Sequence, residues 1–178
     1  MFNRWPLLVR VPVRYGVIGG VIALIQLMAF YYMDKHPFLI PVFFDFRIVL
    51  FAVLIFFALK ELRTYHFGGL LFFWQGMIAS LLFTLVFASV AALLLWLFCL
   101  LQPGFVSQYI QLAISQIKTF PPEVVEQIGK DVYERNLNAL PATDAFDLVS
   151  LYFVQSFGIS FFISIILSVV LRQQPKHT

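Results

Sequence analysis

Few side chains in this sequence could do chemistry, and their spacing keeps most of them apart. His36 falls in the turn after one long apolar stretch, His66 in the turn after the next, and His177 in the C-terminal tail. A membrane-length helix separates the first two, so they cannot ligate one metal. No Cys or His pair has zinc-ligand spacing. Gly68-Gly69 is a turn before a helix, and no glycine-rich loop is built to cradle a phosphate. Cys99 is the single cysteine; it lies in an apolar run and can form no intrachain disulfide. Catalysis needs acids, bases or nucleophiles converging within hydrogen-bond reach. The pattern points away from an enzyme and calls for no cofactor and no metal.

Asp45 and Arg47 are the charges closest to the interior of an apolar stretch. Ionisable residues inside a membrane segment are functional candidates by default, so this pair is the candidate intramembrane polar site. If Pro41 starts the helix, Arg47 sits ~9 Å along its axis. Side chains lean toward a helix N-terminus, so Arg47 can snorkel to the outer interface without burial, while Asp45 complements the helix dipole. The sequence leaves two readings: an interfacial anchor with a local ion pair, or a functional polar site. Asp144 and Asp147 read as an N-cap with an acid three residues on.

The elements that must position these residues follow from composition. The chain has 178 residues, of which 61% are hydrophobic and only 12% charged, with 22 Phe; its mean hydropathy is +0.90. Soluble domains run at roughly half apolar and about a quarter charged, and a chain this size cannot hide such a surplus in one core. Disordered chains are polar and poor in aromatics. An integral membrane protein remains, with the lipid bilayer as its first partner. The net charge of +3 is modest, and nothing in its distribution resembles a nucleic-acid patch.

Four apolar stretches, 13–33, 38–59, 70–101 and 146–171, each reach the ~20 residues a spanning helix needs. The expected fold is therefore all-α: a four-transmembrane-helix bundle in a single domain. In the third stretch, Trp74 and Trp96 stand 22 residues apart, ~33 Å along a helix, which suits two interfacial belts. The first stretch is longer than a signal-peptide core and no small-x-small site follows, so it reads as an uncleaved span. Before it, Arg4 and Arg10 interleave with Trp5, Leu7 and Leu8 as a short interfacial stub. Arg4, Arg10, Arg14, Lys60, Arg63, Arg172 and Lys176 gather on one side against one acid, Glu61, whereas eight acids lie on the other. The basic side is expected to be cytoplasmic, with both termini inside. The 102–145 segment on the opposite side carries Phe105, Tyr109, Leu112, Ala113 and Ile117 at helical spacing, then Val125, Ile128 and Val132 after Pro121-Pro122. It is expected to be an amphipathic helical hairpin that caps the bundle, lies on the outer leaflet or docks a partner.

Small residues recur four apart. Helix one carries Gly16 and Gly20; helix three Gly76, Ser80 and Thr84, followed by Ala88 and Ala92; helix four Ser156, Ser160, Ser164 and Ser168. Such strips let backbones approach closely, and their hydroxyls can bond across the contact. Close packing is the expected role; a polar path along the hydroxyls is the alternative. Helix two has only Ala52 and Ala58 among large apolar residues, so it is expected to face lipid, Leu54 included. Gln26, Gln75 and Gln155 are expected to bond between helices or lie at the interface.

Arg14-Tyr-Gly-Val-Ile-Gly-Gly-Val21 opens helix one, Ala58-Leu-Lys-Glu-Leu-Arg63 closes helix two, and Gly68-Gly-Leu-Leu-Phe-Phe-Trp-Gln-Gly76 begins helix three. With a helix ending Leu171-Arg172, this pattern resembles a Bacteroidota family of small four-span membrane proteins of unassigned function. The resemblance implies a bacterial inner (cytoplasmic) membrane and brings no catalytic or binding residues; Asp45 and Arg47 are not part of it. The expected role is a non-catalytic accessory or assembly subunit, packed against a protein partner or in a homo-oligomer. The alternative is a small carrier, lipid-handling or pore-forming protein acting as an oligomer.

Overall fold

The computed structural model describes residues 7–41 and 44–173. Arg4, Trp5, Lys176 and His177 lie outside them. The described chain is all α-helical, its strand-like pairing confined to one isolated bridge between Leu71 and Gln173. In order the helices are α1 (Leu7–Tyr32), α2 (Arg47–Glu61), α3 (Phe73–Leu101), α4 (Gly104–Lys118), α5 (Pro122–Ile128), α6 (Lys130–Ala139) and α7 (Ala145–Leu171). Three of them, α1, α3 and α7, are long and apolar enough to cross a membrane.

α3 is the hub. It packs along α1 on one side and α7 on the other. Side-chain size sets both contacts. A Cβ on Gly16 would lie 2.9 Å from the Phe83 carbonyl oxygen, and one on Gly20 would lie 2.8 Å from Val90. A Cβ on Gly76 would come within 3.0 Å of the Ser168 hydroxyl. Without Cβ atoms the backbones close to the distances that small-residue packing exploits. Phe51 of α2 fills the remaining seam, its ring tilted against Phe87 at 4.5 Å and edge-on to Phe83 at 6.2 Å.

The 38–59 stretch is not one helix. Pro37–Leu39 forms a short 3₁₀ turn, Ile40 is extended before Pro41, and regular α-helix begins only at Arg47. Proline disfavours helical geometry in the residue before it and cannot donate its own N–H. α2 continues into a π-helical turn, Leu62–His66. α2 is also less lipid-facing than expected. Leu50, Phe51, Ile55, Ala58 and Leu59 are buried, and Leu54 packs against the core; Val49, Val53 and Phe57 form the exposed stripe.

At the start of α3, Leu70–Phe72 is not helical: Leu71 exchanges backbone hydrogen bonds of 3.0 and 2.8 Å with Gln173. The 102–145 segment holds three helices, not two. Gly129, at φ +93°, breaks the second into α5 and α6, a conformation glycine adopts without strain. α7 opens as expected, with Asp144 and Asp147 each accepting the other's backbone N–H, at 2.9 and 3.0 Å.

Candidate functional site

Arg47 is the first residue of α2, and Asp45, just before the N-cap Phe46, accepts the Arg47 backbone N–H at 2.9 Å. The late start carries Arg47 inward, level with Tyr152, seven residues into α7. The arginine does not snorkel to a surface; only 8% of it is exposed. α2 starts at Arg47 itself, so the side chain has no preceding turn of that helix to climb.

Its guanidinium has five N–H donors, and the chain engages all of them. Nε donates to Asp45 Oδ1 and Oδ2 at 3.0 and 2.8 Å, and Nη2 donates to Asp45 Oδ2 and, at 2.9 Å, to Gln155 Oε1. Nη1 donates to Ser156 Oγ at 3.0 Å and to the Tyr152 carbonyl at 3.4 Å. The cation also lies 4.3 Å from the centre of the Tyr152 ring. Leaving a buried charge unpaired is costly; here the cost is offset by a full set of charge-assisted bonds. The cluster ties the start of α2 to α7. Asp45 and Arg47 also border a cavity of about 90 Å³ whose other walls include Gln26, Leu27, Phe30, Phe38 and Tyr152. Gln26 Oε1 is buried there with no hydrogen-bond partner among the described residues.

The small-residue positions lie on the α1–α3 and α3–α7 contacts. Ser80 and Thr84 donate to the carbonyls of Gly76 and Ser80, both at 2.8 Å, as mid-helix hydroxyls commonly do. Thr84 and Ser160 share a hydrogen bond of 2.5 Å between helices. Ser164 and Ser168 are buried with hydroxyls unpartnered among the described residues.

Two groupings escaped the sequence reading. His36 is buried, its Nε2–H donating to the Phe105 carbonyl at 3.2 Å. Rings of Phe105, Tyr109, Phe38 and Tyr31 surround it at 4.6–6.4 Å. Burial lowers its pKa to about 4, so it stays neutral. At the opposite end, Arg14 Nη2 donates to both oxygens of Glu61 at 2.8 and 2.6 Å, Tyr15 donates to the same carboxylate at 3.0 Å, and His66 lies 3.7 Å away. The only sequence signal for this second group was an arginine at the head of the first span and a glutamate closing the second.

The family model described as "Protein of unknown function (DUF4199)" matches residues 14–173, and the chain belongs to that family. No curated protein and no solved structure matches it.

Proposed function

We propose that this DUF4199 family member is a small four-span protein of a bacterial inner membrane, with both termini cytoplasmic. It acts without catalysis, as an accessory or assembly subunit packed against a larger membrane complex or against further copies of itself. α2 supplies the fourth span in this account. With its π turn it runs from Arg47 to His66, ~30 Å at α-helical rise, close to the hydrocarbon thickness of a bilayer.

The observation that carries the subunit role is Gly158. Gly16, Gly19, Gly20 and Gly76 each face a packed neighbour, but a Cβ on Gly158 would meet nothing within 4 Å. It opens outward on α7 between Val154 and Phe162, which are 66% and 68% exposed. A glycine inside a helix costs about 0.5–1 kcal/mol relative to alanine, and nothing among the described residues repays it. A notch between two large apolar side chains suits the close approach of another helix.

The test is the native mass of the protein extracted in mild detergent. The account expects a particle heavier than one chain and its detergent, and expects Gly158→Phe to release the single chain without lowering its unfolding temperature. A wild-type particle that is a lone chain under every mild extraction contradicts the subunit role.

The cavity beside Asp45 favours a second reading, a small carrier or lipid-handling protein. Because Arg47 is fully engaged, an occupant would be held through Gln26 and Gln155. Solute flux in proteoliposomes above that of empty vesicles, abolished by Gln26→Leu, would favour it.

A further inference from the structure

The cavity beside Asp45 and Arg47 lies between α1, the Pro37–Leu39 turn and α7, and Gln26 Oε1 on its wall has no hydrogen-bond partner among the described residues. We infer that this cavity binds the hydroxyl end of a neutral lipid, a long-chain alcohol or a diacylglycerol, whose O–H donates to Gln26. The inference rests on the lipid-handling reading of the cavity and names what it takes; it requires no transport.

The chemistry of the wall selects a donor. A buried amide oxygen without a partner forfeits the hydrogen bond it makes in water, and a ligand that donates one restores it. The neighbouring polar groups are already engaged within the chain. Asp45 accepts from Arg47 Nε at 3.0 and 2.8 Å, and the Gln155 oxygen accepts from Arg47 Nη2 at 2.9 Å. An anionic ligand would have to displace Asp45 from the guanidinium, and a cationic one would have to draw Asp45 away from it. A hydroxyl disturbs neither bond.

Size and surroundings select a small head on a hydrocarbon chain. An apolar cavity of ~150 Å³ takes a benzene ring; this one, at about 90 Å³, suits a hydroxyl and the first carbons behind it. Phe30 and Phe38 stand on its walls, and Phe44 and Phe46 border it at 79% and 52% exposed. That rim favours an occupant whose body is apolar. Gln26 also stands six residues before the end of α1, ~9 Å along the axis. Burying a charged headgroup at such a level costs far more than burying a hydroxyl that is hydrogen-bonded.

The test measures retention by the purified full chain in mild detergent, read by native mass spectrometry. The probes are oleyl alcohol, oleyl methyl ether, dioleoylglycerol and dioleoylphosphatidylcholine. Oleyl alcohol should be retained about fivefold better than its methyl ether, which keeps the chain but has no proton to donate; fivefold is the worth of one neutral hydrogen bond. Gln26→Leu should bring the alcohol down to the level of the ether without lowering the unfolding temperature of the lipid-free chain, because Gln26 Oε1 has no bond to lose. Gln111→Leu, the same change at an exposed position of α4, should alter nothing. Retention of dioleoylglycerol above phosphatidylcholine identifies a diacylglycerol as a ligand; retention of oleyl alcohol alone identifies the single-chain alcohol. Equal retention of alcohol and ether overturns the inference, as does alcohol binding that Gln26→Leu leaves unchanged. Alcohol binding without solute flux in proteoliposomes keeps this site and removes the carrier reading, whereas flux without alcohol binding removes this site alone.

Discussion

Arg47 and His36 are the two buried nitrogen bases at the α7 N-terminal end, and they solve burial in opposite ways. Arg47 is satisfied by partners: Asp45, Gln155, Ser156 and Tyr152 take every donor. Removing one partner strands the rest. Asp45→Asn should therefore destabilise the chain by about 3–5 kcal/mol, while Asp45→Asn with Arg47→Met should recover most of that loss; thermal unfolding in detergent measures both. His36 stays neutral among aromatic rings, with its pKa lowered to about 4. In the unfolded chain it titrates near 6.5, so as pH falls from about 6.5 toward 4 the unfolded state takes up a proton that the folded state refuses. Stability should decline through that window. His36→Gln should flatten the decline; a decline of unchanged slope would place its origin elsewhere.

Helix α2 departs furthest from its apolar pattern. Hydropathy sees an uninterrupted run from Phe38, whereas Pro37 and Pro41 bracket a 3₁₀ turn and an extended Ile40, α2 begins only at Arg47, and Phe38, Ile40 and Phe44 wall the cavity. The strips of α1, α3 and α7 were readable because a small residue every fourth position leaves a periodic mark; which partner each strip meets is a tertiary choice and leaves none. Gln155 was readable as an interhelix donor or acceptor, but not as a ligand of Arg47, because that pairing depends on where α2 starts. The π turn and Gly129 are single-residue backbone events within otherwise helical composition. The close approach of α1 to α3 gives an element-scale prediction. Gly20→Val should cost about 1–3 kcal/mol by forcing the helices apart, since its Cβ would meet Val90 at 2.8 Å. Val53→Ala, on the exposed stripe of α2, should cost far less. Equal losses would mean that the α1–α3 contact is not the tight one.

At the scale of the whole molecule, the two ends differ in chemistry. One gathers Arg14, Glu61, Arg63 and His66, with Arg63 donating to the Leu171 carbonyl at 3.4 Å; the other gathers the aromatic rings around His36 beneath α4. α2 joins them, from Arg47 beside Tyr152 to Glu61 beside Arg14. The proposed topology, with the 102–145 helices outside, depends on α2 crossing the membrane. The most direct measurement of that crossing compares compartment-sensitive reporters fused before Met1 and after Thr178. Four crossings put both reporters on the same, cytoplasmic side, with a third reporter inserted at Asn136 external. If only α1, α3 and α7 cross, the two terminal reporters fall on opposite sides of the membrane, and that result would contradict the four-span bundle.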